Sequence, residues 1–264
     1  MPFVEVEKGV NYYYEDRGEG QPIVFVHGWG MSGMVWERQA VDLSDRYRII
    51  TLDCRGCGKS DKPGHGYTIA ELSKDLYHFL NALQLKDVVL VGWSAGGSIV
   101  IDYVTRYGDR VVKAVSVGGA VPRYTATDGF DIGAPQQAFQ ETMTAMKTNR
   151  ATLLRGICDA CFHHDIGTPT KEWLFSIFME QSWFAERTME DLGKIDLRDK
   201  LPNINIPVAF FHGLHDQVVP YALSEYSAKQ VPGAKLVTFE ESSHTPFMEE
   251  TQKFNDELEA FISS

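Results

Sequence analysis

What most constrains the fold of this 264-residue chain is a series of short apolar runs, each too brief for a helix and most of them followed by a helix-like segment. They are Pro22 to His27 (PIVFVH), Arg48 to Asp53 (RIITLD), Val88 to Trp93 (VVLVGW), Val111 to Val117 (VVKAVSV), Pro207 to His212 (PVAFFH) and Lys235 to Phe239 (KLVTF). A run without polar alternation is what a strand buried on both faces requires, and such strands belong to parallel sheets. Strand, helix, strand in repetition therefore predicts an α/β fold. Two further segments, Phe3 to Val6 and Val10 to Tyr14, read as strands joined by a turn ahead of the first parallel strand.

The helices are legible by period and by cap. Thr68 and Glu71 make a capping box before Ile69, Leu72, Leu76, Phe79, Leu80 and Leu83, which fall on one apolar stripe. Phe247, Phe254, Leu258, Phe261 and Ile262 do much the same near the C-terminus. Between about Ala120 and Asn203 the strand runs stop, and helix-like pieces take over at Gln137 to Lys147, Lys171 to Phe184 and Arg187 to Lys194. The expected organisation is a core domain in two parts, residues 1–119 and 204–264, with a helical cap over residues 120–203 inserted before the last two strands.

Composition removes several classes of function. With 44% hydrophobic residues the chain can bury a substantial core, so disorder is not expected. A formal charge of −11 and the lack of a basic run argue against nucleic acid or an anionic membrane as partner. MPFVEVEKGV is not a signal peptide, and no apolar run approaches the roughly 20 residues of a membrane span, so the expectation is a soluble, cytoplasmic protein; a homo-oligomer is compatible with it. The four cysteines fall as Cys54-x-x-Cys57 and Cys158-x-x-Cys161, the second pair followed by His163 and His164. That spacing resembles a zinc signature, but the pairs lie about a hundred residues apart, in a chain too long to need a metal for folding, and they read as ordinary thiols.

Chemistry enters at Gly92-Trp93-Ser94-Ala95-Gly96, where an apolar strand runs straight into a helix. Small residues on both sides of a serine let strand and helix approach, and they place its hydroxyl at the tip of a strained turn on the carboxyl edge of the sheet. A serine hydroxyl attacks only when a base takes its proton and an acid orients that base. Both partners are available downstream. Asp216 lies in the loop after PVAFFH and His244 in the loop after KLVTF, ahead of the last helix. His212 is within the strand, where it packs, and His215 could line the mouth; Glu240 and Glu241 are the rival acids. The backbone N–H of Ala95, at a helix N-terminus, and that of Trp29, in the loop after the first buried strand, are the expected oxyanion donors. This chemistry needs no metal and no cofactor.

On the residues Phe25-Val-His27-Gly28-Trp29, Asp53-Cys-Arg55-Gly56-Cys-Gly58-Lys-Ser60, Gly92-Trp-Ser94-Ala-Gly96-Gly97, His212-Gly-Leu-His-Asp216-Gln-Val-Val-Pro220 and Ser243-His244, the chain resembles the α/β-hydrolase fold over essentially its whole length. Within that fold it most resembles the cofactor-free haloperoxidase and arylesterase group. The resemblance implies an eight-stranded, mostly parallel sheet flanked by helices, with a helical cap and a Ser94, Asp216, His244 triad. It also implies cleavage of carboxylic esters through an acyl-enzyme, and in some members formation of peracids that oxidise halides. Many relatives carry Met at the position of Ala95, so the backbone donor carries over while the pocket shape differs. Dehalogenases and epoxide hydrolases of this fold use Asp at the elbow, which Ser94 argues against; lactonases and carbon-carbon bond hydrolases keep the serine.

The expected function is therefore hydrolysis of a small to medium, largely apolar ester or lactone. Perhydrolase activity, carbon-carbon cleavage and a receptor that binds without turnover are the alternatives. Expected substrate contacts are Trp29, Trp93, Val121, Phe130, Phe162, Trp183 and Val218, with Phe175 and Phe178 as further aromatic candidates in the cap.

Overall fold

The structure, a computed structural model, describes residues 2–264. In chain order the first half contains strands β1 (Phe3–Glu7), β2 (Val10–Arg17) and β3 (Pro22–Val26), helix α1 (Glu37–Leu43), β4 (Arg48–Leu52), α2 (Ile69–Ala82), β5 (Val88–Trp93), α3 (Ala95–Arg106) and β6 (Val111–Val117). Four helices follow with no strand between them: α4 (Gln136–Thr148), α5 (Arg150–Ala160), α6 (Thr168–Met179) and α7 (Glu186–Leu192). The chain then returns through β7 (Val208–Gly213), α8 (Ala222–Gln230), β8 (Lys235–Phe239), α9 (Pro246–Glu249) and α10 (Thr251–Ser263).

Among the described residues the eight strands form one sheet in the order β1-β2-β4-β3-β5-β6-β7-β8. The pairs β1-β2 and β2-β4 are antiparallel, and every later pair is parallel. β3 and β5 are buried along their whole length, as runs without polar alternation require. The strand order reverses at β3, which lies between β4 and β5, so the loops leaving β3 and β5 open beside one another. That reversal is where ligands collect in such sheets. Flanking helices cover the sheet: α3 packs on β5 and β6, and α8 on β7 and β8.

Local sequence explains the element boundaries. The capping box forms as expected: Thr68 Oγ1 accepts from the Glu71 amide at 3.2 Å, and Glu71 Oε2 accepts from the Thr68 amide at 3.0 Å. The C-terminal stripe divides, with Phe247 in α9 and Phe254, Leu258, Phe261 and Ile262 buried along α10. Trp36 joins these pieces to the sheet, its ring centroid 4.9 Å from Phe25 and 4.3 Å from Phe247.

Two sequence expectations in the helical region need correction. The helix expected to run to Phe184 stops at Met179, because Ser182 donates its amide to Gly56 O and its hydroxyl caps a new turn at Phe184. Helix α5 was not expected at all. Its apolar side chains are small or split between two faces, with Leu154 and Cys158 buried in the core while Leu153, Gly156, Ile157 and Ala160 face the cavity.

Candidate active site

The turn between β5 and α3 is as tight as its glycines imply. Ser94 sits at φ 56° and ψ −119°, a region that side chains avoid, with its amide held by Val117 O at 2.8 Å. A Cβ at Gly92 would lie 2.2 Å from Gly96 O, and one at Gly96 would lie 2.5 Å from Val26 O, so neither position tolerates a side chain. The elbow thus follows from close backbone approach at both ends.

Asp216 and His244 meet across the loops that leave β7 and β8, neighbours in the sheet. His244 Nδ1 is 2.7 Å from Asp216 Oδ2, and the other carboxylate oxygen accepts from the Val218 and Val219 amides at 2.8 Å each. Burial pushes the Asp216 carboxyl up, but the charge of His244 and hydrogen bonds from His212 and His244 outweigh it, holding the group well below the usual carboxylate range. A carboxylate only accepts, so Nδ1 carries a proton and donates it to Asp216.

The backbone of His244 is fixed from above and below. Its amide donates to Cys161 O at 3.0 Å, and its carbonyl accepts from the Trp93 indole at 2.8 Å. Ser243 Oγ donates to Ala160 O and Thr245 Oγ1 to Cys161 O. The last carbonyls of α5, which lack partners inside a helix, are thereby satisfied by the loop that carries the histidine.

The loop after β3 is clamped as well. His27 lies between two backbone groups, its Nδ1 2.7 Å from Gly28 O and its Nε2 accepting from the Cys54 amide at 2.9 Å. Burial lowers its pKa, so it stays neutral in that clamp. Trp29 donates its indole N–H to Ala185 O at 2.7 Å, and its ring meets Phe178 edge-on at 5.1 Å. Among the described residues, the backbone amides of Trp29 and Ala95 donate to no backbone carbonyl.

Ser94, His244, Trp29, Trp93 and Val218 all line one cavity of about 450 Å³. Its remaining walls are largely aliphatic or small: Met31, Leu153, Gly156, Ile157, Ala160, Met189 and Leu192, with Tyr124, Phe178, Thr142, Thr152 and Gln217. No Asp, Glu, Lys or Arg is among them. Ala95 lies beside this cavity, bordering a small void shared with Gly28 and Trp29.

Four expected substrate contacts are not in this cavity. Val121 is buried and offers its carbonyl to Ser227 Oγ at 3.0 Å. Phe130 packs edge-on against Tyr226 at 5.3 Å and beneath the Arg198 guanidinium. Phe162 is buried in the core. Trp183 is 86% exposed and borders a separate surface pocket with Arg150 and Glu186. Of the further aromatics, Phe178 lines the cavity, while Phe175 stacks under Arg155. Aromatic type does not say which way a side chain faces, and α5 supplies more of the wall than any aromatic of residues 120–203.

The rival groups have other partners. His215 stacks on His163 at 3.8 Å, Glu240 pairs with Lys253, and Glu241 pairs with His164 at 3.2 Å. His212, read from sequence as a packing residue, is buried in β7 and stands 2.9 Å from Asp216 Oδ2. All four cysteines are free and buried, and burial pushes the Cys57 and Cys158 thiols up to about 12. Among the described residues one group could gather metal ligands, the exposed His163, His164 and Glu241, and none of them lines the cavity. Among the described residues no helix is long and apolar enough to cross a membrane.

Comparison with known proteins places this geometry. The family described as alpha/beta hydrolase fold matches residues 21–251. The non-heme haloperoxidase of Rhodococcus erythropolis is 33% identical, with 100% of each chain covered. Among solved structures, the esterase EaEST from Exiguobacterium antarcticum is 32% identical with a TM-score of 0.96 over 99% of each chain. Bromoperoxidase from Bacillus anthracis is 30% identical with a TM-score of 0.91, covering 97% of this chain and 96% of that one. The eight-stranded sheet, its switch point at β3 and a match across most of the sequence lead to one conclusion: the chain belongs to the α/β-hydrolase family.

Proposed function

We propose that the chain is a serine hydrolase that cleaves a small to medium, uncharged carboxylic ester or lactone through an acyl-enzyme. The observation that carries this reading is the convergence of a strained Ser94 and a His244 oriented by Asp216 on one cavity without charged walls. Ser94 Oγ attacks the substrate carbonyl carbon while His244 Nε2 takes its proton. The Trp29 and Ala95 amides receive the oxyanion, and His244 then protonates the departing alcohol. Water attacks the acyl-enzyme by the same route in reverse roles, releasing the acid and restoring Ser94. A wall without fixed charge favours neutral acyl groups, because a carboxylate would lose its hydration there without a partner. Residues 120–203 act in this reading as a cap that forms the acyl-binding wall.

A series of p-nitrophenyl esters from acetyl to octanoyl, run with native protein and Ser94→Ala, tests the proposal. Turnover that disappears in the variant is the expected result; turnover of similar rate in both would sink the reading. A second reading, perhydrolysis, is favoured by full-length similarity to a haloperoxidase. There hydrogen peroxide takes the place of water at the acyl-enzyme, and the peracid released oxidises halide while returning to the carboxylic acid. Bromination that requires both acetate and peroxide, and Ser94, would establish it.

A further inference from the structure

Asp216 has a second histidine on the oxygen that faces His244. His212 Nε2 is 2.9 Å from Asp216 Oδ2 and 3.1 Å from Val219 O. Both neighbours are acceptors, so Nε2 must carry hydrogen. On the far side of the ring, Nδ1 is 2.6 Å from Ser224 Oγ, a hydroxyl that can donate to it. The surroundings therefore require hydrogen on Nε2. Both His212 and Asp216 have side chains with no solvent exposure, so water cannot take the place of either contact. A buried polar chain satisfied at every member holds its geometry tightly.

We propose that His212 is a positioning residue for the reaction: the chain Ser224, His212, Asp216 shares the carboxylate charge and thereby sets how strongly Asp216 holds His244. This inference rests on Asp216 and His244 acting as the acid and base of the proposed hydrolase. An unshared carboxylate stabilises the imidazolium more strongly, so the ring protonates at higher pH and less free base remains at a given pH. The His212 Nε2–H, bonded to Val219 O at 3.1 Å and standing 2.9 Å from Oδ2, weakens that pull by sharing its partial positive charge with the carboxylate. It also fixes the carboxylate plane, with the Val218 and Val219 amides holding Oδ1.

The other titratable groups near the pair are Tyr124, Cys161, Tyr221 and His215. Burial, followed by the charge of Asp216, pushes the Tyr124 phenol up to about 12, and the Cys161 thiol is likewise pushed well up by burial with smaller contributions from Cys158 and Asp216. Tyr221 packs edge-on against His212 at 5.5 Å and bonds Thr238 on the neighbouring strand. His215, one residue before Asp216, is stacked on His163. In the proposed reaction the acid limb of kcat/KM reports protonation of the catalytic base.

Three substitutions at one position separate positioning from packing. In His212→Gln the amide nitrogen stands near the Nε2 position and keeps a donor for Asp216; His212→Asn is too short to reach it, and His212→Phe has none. Expected for Phe and Asn is a fall in kcat of about tenfold with KM within about twofold, and an acid limb of kcat/KM moved up by about one pH unit, the scale of one hydrogen bond to a charged group. Gln should restore most of both. Equal losses in all three variants with the limb unmoved, or native profiles in Phe and Asn, would overturn the proposal. If Phe does not fold, the contrast between Asn and Gln decides alone. If native protein shows no serine-dependent turnover, the hydrolase reading has failed, and imidazole proton-nitrogen NMR still tests the coupling. A His244 titration midpoint that differs between native and His212→Asn supports it, and an identical midpoint rejects it.

Discussion

Asp216 and His244 meet at 2.7 Å through Oδ2 and Nδ1, with both side chains almost wholly removed from solvent. The bond ties folding to pH as well as orienting the ring. The folded-state pKa of Asp216 lies below the ordinary value of about 3.9, so in acid the unfolded chain binds more protons than the folded one. The stability this group contributes is complete above about pH 4 and is lost as pH falls through the folded value. Asp216→Asn lacks that contribution, so its urea midpoint should fall less steeply than native between about pH 5 and pH 3; parallel slopes would contradict the assignment. Its kcat toward p-nitrophenyl acetate should fall on the order of 10⁴-fold, because an amide can present a donor to Nδ1 and favour the wrong tautomer.

Ser94 holds a positive φ that costs a non-glycine residue about 1–3 kcal/mol. Ser94→Gly should relieve it and raise the thermal midpoint while abolishing ester turnover, whereas Ser94→Ala keeps the strain and melts near native. Calorimetry of the three proteins is the check, and a glycine variant that melts below the alanine variant would mean the elbow is not strained.

Gly156 is in the middle of α5 and faces the cavity, with nothing within 4 Å of where its Cβ would stand. Gly156→Ala should stabilise the protein by about 0.5–1 kcal/mol through the lower backbone entropy of alanine in a helix. Gly156→Phe should fill part of the cavity and move the preferred p-nitrophenyl ester toward shorter acyl chains. An unchanged chain-length profile would show that the acyl group lies elsewhere.

Arg55 donates to Asp75 through Nε and Nη2 at 2.8 and 2.7 Å, and Tyr12 donates to the same carboxylate at 2.8 Å. Both charged side chains are at most 4% exposed. Arg55→Met leaves a buried carboxylate without its cation, which typically costs about 3–5 kcal/mol. Urea unfolding should show a loss of that size; a loss below about 1 kcal/mol would mean that solvent reaches Asp75 more readily than its burial implies.

Trp183 is 86% exposed and does not line the cavity. Trp183→Ser should leave kcat/KM for p-nitrophenyl acetate within about twofold of native and stability within about 0.5 kcal/mol. A large rise in KM would return this residue to the substrate path.

The parallel strands were readable because burial on both faces leaves an unbroken apolar run, and strand reach is local. The elbow was readable for a related reason: Gly92 and Gly96 record a backbone approach between adjacent elements. Placing Asp216 and His244 after successive strands brought them to one edge once the strands proved to be neighbours. Helix α5 was not readable, since its cavity face includes Gly156 and Ala160, residues whose small size serves the space they leave open. Phe130, Phe162 and Trp183 were chosen by residue type, and type does not report which neighbour a side chain packs against. His212 shows the same boundary: its place in β7 implied burial, while its 2.9 Å approach to Asp216 depends on the bend of the loop between them. Sequence alone determined the order of the strands and the chemistry at their ends, because those follow from local period and backbone sterics. Tertiary structure decided which side chains share a cavity and which histidines share a carboxylate, because those depend on contacts between segments that no local period encodes.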